Sequence, residues 1–217
     1  MYAHRLVNSR FPPIDLFDDV STADEFEMLY RIQALTNPRL QNELGRLELL
    51  PRAQIPFGIP GCSYACAPFT HVNPAGSRFS DGGFGALYLA DTPDTALAEV
   101  RHHQQQYWAK VPGLSYERFV FRGLQCTFTD NHMLDALPLT LSHPVHAPDS
   151  YTQSRHLGRT SREAGYPGLR YLSVRQPGSI CWVLMTPRPV ISIVQTAHYE
   201  MIWNGAITSV NRISAAT

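Results

Sequence analysis

The chain has 217 residues, 44% hydrophobic and 11% aromatic, enough to bury a sizeable core in one domain spanning 1–217. Eighteen basic residues balance eighteen acidic ones, so no long-range field exists to hold a phosphate backbone, and nucleic acid is set aside as a direct partner. No segment approaches the ~20 apolar residues of a membrane span, and MYAHRLVNSRFPP at the N-terminus lacks the apolar stretch of a signal peptide, which predicts a cytoplasmic protein without membrane contact.

Seventeen prolines and fourteen glycines imply many turns between short elements, which suits a strand-rich α+β fold. Residues 5–20 read as an extended segment turning at Pro12 and Pro13. Thr22, with Glu25 three residues on, reads as a capping box that opens a helix to about Ala34, whose Phe26, Leu29 and Tyr30 face the core. A break at Asn37 and Pro38 leads into a short second helix in LQNELGRL. Residues 51–68, crowded with proline and glycine, read as loops carrying at most one short strand.

The stretch 76–101, GSRFSDGGFGALYLADTPDTALAEVR, passes from a glycine loop through an apolar strand, 86–90, into a helix. Thr92 is its N-cap, Pro93 its first residue and Asp94 lies in its first turn, and the helix runs through Glu99 to about Gln105. Further strands are expected at 117–122, 124–128, 169–174 and 180–186, with helical turns near 131–137 and a helix over 150–164 that stops at Gly165. YEMIW and AITSVNRI flank Asn204-Gly205, the signature of a tight hairpin.

Arg78, Tyr88 and Glu99 fall on the loop, the strand and the helix of the central unit. Gly76-Ser77-Arg78-Phe79-Ser80, Leu87-Tyr88-Leu89 and Ala96-Leu97-Ala98-Glu99 together resemble the RES family of bacterial toxins, which place a Gly-Gly-Arg-aromatic-Asn loop, a strand ending in tyrosine and an A-x-x-E helix in this order. His4-Arg5-Leu6 is similar to the N-terminal Y-R-I element of that family, and Tyr171-Leu172-Ser173-Val174-Arg175 to its late serine-bearing strand. Serine replaces the second loop glycine and the loop asparagine, phenylalanine stands for tryptophan, and leucine rather than proline precedes Ser173. Segments of about 21–70 and 104–150 look like family-variable insertions.

The resemblance implies an ADP-ribosyltransferase-like fold, a split mixed or antiparallel sheet with flanking helices, and NAD⁺ as the substrate. It implies cleavage of the nicotinamide–ribose bond by water or phosphate, with mono-ADP-ribosyl transfer to a protein as the rival and a non-catalytic NAD-binding protein of the same fold as a third reading. Breaking that bond passes through an oxocarbenium-like ribose, for which a fixed carboxylate, Glu99, supplies compensating charge. Arg5 and Arg78 suit the diphosphate because guanidinium groups grip phosphate oxygens without titrating. Tyr88 would stack on a ring of the dinucleotide, and Ser173 would bind the carboxamide or a phosphate, or steady Glu99. The expectation is that these groups converge on one dinucleotide-sized hollow. By family alone, an Xre-type helix-turn-helix antitoxin is the expected protein partner, and a homodimer is left open.

Plainer readings apply to other residues. The four cysteines, Cys62, Cys66, Cys126 and Cys181, have no paired CxxC spacing and read as free thiols. His102 and His103 are adjacent on a helix and diverge by about 100°, so no metal is expected. Gly82-Gly83-Phe84-Gly85 precedes its strand rather than following it, which rules out a Rossmann or P-loop reading.

Overall fold

A computed structural model describes residues 1–9, 17, 18, 20–34 and 45–213. The first five residues of the expected second helix in LQNELGRL lie outside them, as do the turns expected at Pro12 and Pro13 and the break at Asn37 and Pro38. Eight strands form one mixed sheet: β1 (Tyr2–Asn8), β2 (Leu87–Ala90), β3 (Tyr116–Phe128), β4 (Leu134–Asp135), β5 (Gly168–Leu172), β6 (Ile180–Leu184), β7 (Val190–Asn204) and β8 (Ile207–Arg212). Their order is β4-β5-β6-β2-β1-β3-β7-β8, and every pair is antiparallel except β4 with β5.

The ladder is uneven. β1 pairs with β3 over its whole length, from Tyr2↔Thr127 to Asn8↔Phe121, but meets β2 only at His4↔Ala90. The sheet therefore splits beyond that pair into two four-stranded halves, the arrangement the resemblance implies.

Alternation along the strands builds two cores, one on each face. Leu87, Leu89, Leu124, Cys126, Trp182 and Leu184 pack with helices α1 (Ala23–Ala34) and α2 (Cys62–Thr70). The opposite face carries Ala90, Phe119, Phe121, Cys181 and Val183 under α3 (Pro93–Trp108) and α4 (Thr152–Glu163). The capping box at α1 is formed: the Glu25 carboxylate accepts from the Thr22 N–H at 3.1 Å while Thr22 Oγ1 accepts from the Glu25 N–H at 3.2 Å.

Three expectations change. Residues 51–68 hold a 3₁₀ turn at Arg52–Gln54 and most of α2, not a strand. That helix is almost uniformly apolar and buried, so its sequence, GCSYACAPFT, shows no polar face from which a helical period could be read. The strands expected at 117–122 and 124–128 are one strand, because Gly123 sits opposite a bulge on β7 instead of ending the ladder. The turns expected at 131–137 contain β4, whose Leu134 pairs with Leu169. The hairpin forms as expected: Trp203↔Ile207 closes a loop in which Gly205 takes φ 70°, a left-handed value that favours glycine. Among the described residues no helix is long and apolar enough to cross a membrane.

Candidate active site

The central unit positions the first group. Thr92 Oγ1 accepts from the Thr95 N–H at 3.1 Å and Pro93 follows, so α3 starts directly after β2. Ala96 is buried against the sheet, and Glu99, three residues on, shares that face at its half-buried margin. Ser173, fully buried just past the end of β5, meets it from the other side: its hydroxyl donates to Glu99 Oε1 at 2.7 Å. The direction of that bond is set locally. Ser173 Oγ already accepts the backbone N–H groups of Arg175 at 3.2 Å and Gln176 at 3.0 Å, which leaves its proton for the carboxylate.

Arg78 is buried on the same side of the sheet. Its Nη1 donates to the carbonyls of Ala147 at 3.0 Å and Val145 at 3.5 Å, and its guanidinium lies 4.7 Å from the centre of the Tyr151 ring. The loop that carries it is tied from three directions. Tyr88 Oη accepts the Phe79 N–H at 2.9 Å and pairs with Ser77 Oγ at 2.7 Å. Arg155 on α4 donates to the carbonyls of Ser77 and Ala75 at 3.0 and 2.8 Å. Gly158 on the same helix touches the loop at the Phe79 carbonyl, so closely that a Cβ there would collide with it. Burial pushes the Tyr88 phenol up from its ordinary pKa, opposed by its bonds to Ser77 and Phe79 and by the charge of Arg78, so Tyr88 stays a neutral hydrogen-bonding group.

Tyr171 on β5 ties these residues together. It is buried, edge-on to Phe79 with centroids 4.7 Å apart. Burial first, then Cys181, Glu99 and Tyr88, push its phenol well above the usual value while Arg78 opposes them. Three of the expected residues thus act on one buried hydroxyl. His102, one turn along α3 from Glu99, is held below the ordinary imidazole value by burial and by Arg175 and Arg78, with Glu99 and Asp149 acting the other way. Arg78, Tyr88, Glu99 and Ser173 are therefore gathered on one side of the sheet.

Arg5 is placed differently. It pairs with Leu124 across β1 and β3, which sends its side chain to the face that carries α1 and α2. It reaches the others through the split itself, where its Nη1 donates to the Tyr88 carbonyl at 3.2 Å. Burial lowers its pKa, with Tyr88 and Cys126 opposing.

A cavity of about 580 Å³ lies elsewhere, lined by residues including Phe84, Arg159, Arg162, Tyr166, Met185 and Arg188, and none of the expected site residues borders it. Tyr166 precedes β5 and Ser173 follows it, so this cavity and Glu99 lie at opposite ends of that strand. Tyr151, Tyr171 and Arg175 belong to the neighbourhood of Glu99 and Arg78 without having been singled out in the sequence, and His102, considered there only as a metal ligand, belongs to it too. Tyr171 and Arg175 lie in the same five-residue stretch as Ser173, which was their only signal.

The group combines a carboxylate with one oxygen held by Ser173, a buried guanidinium beside an aromatic ring, and neutral hydroxyl groups. Residues 55–204, more than half of the chain, match the RES domain. Over 208 residues the chain is 32% identical to the uncharacterized protein y4oC of Sinorhizobium fredii, covering 93% of this chain and 83% of that protein. The toxin–antitoxin complex MbcT–MbcA of M. tuberculosis is similar at 16% identity and a TM-score of 0.41, covering 56% of this chain and 72% of that one. The extent of the domain match and the similarity to y4oC along nearly the whole chain place this protein in the RES-domain family.

Proposed function

We propose that this protein is an NAD⁺-consuming toxin of a toxin–antitoxin pair, acting in the cytoplasm, and that it breaks the nicotinamide–ribose bond of NAD⁺. The observation that carries the reading is the Glu99 carboxylate, oriented by Ser173 on the same side of the sheet as the buried Arg78 and the half-buried Tyr88. In the reaction, the bond between ribose C1′ and the nicotinamide ring nitrogen breaks and its electron pair leaves with nicotinamide. The positive charge that develops on the ribose is stabilised by Glu99, and the oxygen of water or phosphate then bonds to C1′ and loses a proton.

Arg78 spends Nη1 on protein carbonyls and turns its other guanidinium N–H groups to the diphosphate. Tyr88 lines the nicotinamide end as a neutral aromatic. Arg5, with Nη1 on the Tyr88 carbonyl, keeps the rest of its guanidinium for the dinucleotide. Ser173 aims Glu99 rather than binding substrate directly. No metal takes part in this scheme. The chain is read as one domain, with segments 21–70 and 104–150 as additions around that site, and an Xre-type helix-turn-helix antitoxin as its partner.

Incubating the purified protein with NAD⁺ and following free nicotinamide tests the reading. Nicotinamide release without added protein acceptor supports it, and comparing buffers with and without phosphate identifies the attacking oxygen. NAD⁺ that is bound but left intact overturns it.

A further inference from the structure

Residues 144–151 run between the two groups of side chains that the proposed reaction needs, and an arginine grips them from each side. Arg78 holds the first part through the Val145 and Ala147 carbonyls. Arg175 holds the next residue, its Nη2 donating to the Pro148 carbonyl at 2.6 Å. The two arginines come from different places in the fold. Arg78 follows the loop secured by Tyr88 and Arg155, whereas Arg175 sits two residues beyond Ser173, and its own N–H donates to the Ser173 oxygen that holds Glu99. At the end of the segment, Tyr151 presents its ring to Arg78 and begins α4.

Two further observations single out Arg175 from an ordinary surface arginine. Its Nε is buried with no hydrogen-bond partner among the described residues, an unfavourable position for a cation, so the Pro148 carbonyl is what anchors its guanidinium. Nε2 of His102, one turn from Glu99 on α3, is also buried and without a hydrogen-bond partner among the described residues. The charges of Arg175, Glu99, Asp149 and Arg78 all act on that imidazole.

We infer that Arg175 is a positioning residue: through the Pro148 carbonyl it fastens segment 144–151, and with it the guanidinium of Arg78, to the turn that holds Ser173 and Glu99. This rests on reading Glu99 and Arg78 as parts of one NAD⁺-processing site. The carboxylate and the guanidinium sit on separate elements, and rate depends steeply on their relative placement, so a tie between them is worth more to turnover than to folding.

The test compares wild type, Arg175→Met and Arg175→Lys by hydrogen–deuterium exchange of residues 145–150 and by steady-state NAD⁺ loss. Methionine keeps the aliphatic bulk but offers no donor to Pro148. Arg175→Met should exchange faster over 145–150 and lose about tenfold in kcat with a smaller change in KM, while circular dichroism stays that of wild type. Arg175→Lys, which keeps a cationic donor, should regain most of the protection and of kcat. Unchanged exchange in Arg175→Met, or faster exchange with unchanged kcat, overturns the inference. If Arg175→Met does not fold, a lysine variant that keeps the protection but loses turnover overturns it equally, because the arginine then acts on the substrate. A wild type that leaves NAD⁺ intact removes the reaction reading alone, and the exchange comparison still decides whether Arg175 fastens the segment.

Discussion

The hydroxyl of Ser173 donates to Oε1 of Glu99 at 2.7 Å across 74 residues of sequence, and it does so because the backbone N–H groups of Arg175 and Gln176 already occupy the serine oxygen. Replacing either partner should therefore have separable effects. Glu99→Gln keeps an acceptor for Ser173 and removes only the negative charge, so the melting temperature should hold while NAD⁺ loss falls by roughly 10²–10³-fold. Ser173→Ala strands two backbone donors as well as freeing the carboxylate, and should cost about 1–3 kcal/mol of stability together with part of the activity. Thermal melts and nicotinamide release, run on both variants, check the pattern. Full activity in Glu99→Gln would remove that residue from the chemistry.

Tyr88→Phe tests what the phenol contributes apart from its ring. The hydroxyl takes the Phe79 N–H and meets Ser77 Oγ, so its loss loosens the loop that carries Arg78. A destabilisation of about 1 kcal/mol is expected, with faster amide exchange at Ser77 to Ser80. If exchange there is unchanged, the loop is held by Arg155 and Gly158 instead.

At Gly158 the backbone of α4 lies close against the Arg78 loop, and a Cβ placed there runs into the Phe79 carbonyl, which is backbone and cannot swing aside. Gly158→Ala should cost about 1–3 kcal/mol despite alanine's better helix propensity. Chemical denaturation measures this directly. A variant as stable as wild type would mean that the helix can shift away from the loop.

Acid should weaken the fold before the carboxylates titrate. His102, His103 and His146 are all held below the ordinary imidazole value of 6.5, with burial the leading cause in each. The unfolded chain takes up these protons near pH 6.5 while the folded chain resists them, so stability is fully present above that value and declines as pH falls through it toward the lowered values. The urea midpoint should drop between pH 7.5 and 5.5. His146→Gln should shrink the drop, because that imidazole is fully buried beside Arg78. A midpoint that rises toward pH 5.5 would contradict the assignment.

The parts of the fold that were legible in the sequence are those written in local chemistry. Thr22 with Glu25, Thr92 with Pro93, and Asn204 with Gly205 each carry a capping or turn rule within four residues, and each element begins or turns where the rule puts it. What escaped depends on distant partners. α2 is almost uniformly apolar because β2, β7 and the 3₁₀ turn at Leu47–Leu49 pack around it, and β4 exists only because Leu169 lies beside Leu134. The Gly123 break was a fair reading of one strand alone, since the irregularity belongs to β7 across from it.

The neighbourhood of Glu99 divides the same way. Arg78, Tyr88, Glu99 and Ser173 stood out through motif order, whereas Tyr151, Arg155 and Arg175 around them did not. Tyr151 shows no pattern around it, and its place over Arg78 follows from where α4 begins. Arg5 was recognisable as a candidate, yet the face it occupies is set by its pairing with Leu124, which no reading of β1 by itself could supply.

The single pair His4↔Ala90 that joins the halves of the sheet links residues 86 positions apart. The long ladder of β1 is with β3, and the hydroxyl that Glu99 accepts from lies 74 residues beyond that carboxylate. Contacts so remote in sequence form late and slowly. A chain cut before residue 173 therefore lacks the oriented carboxylate.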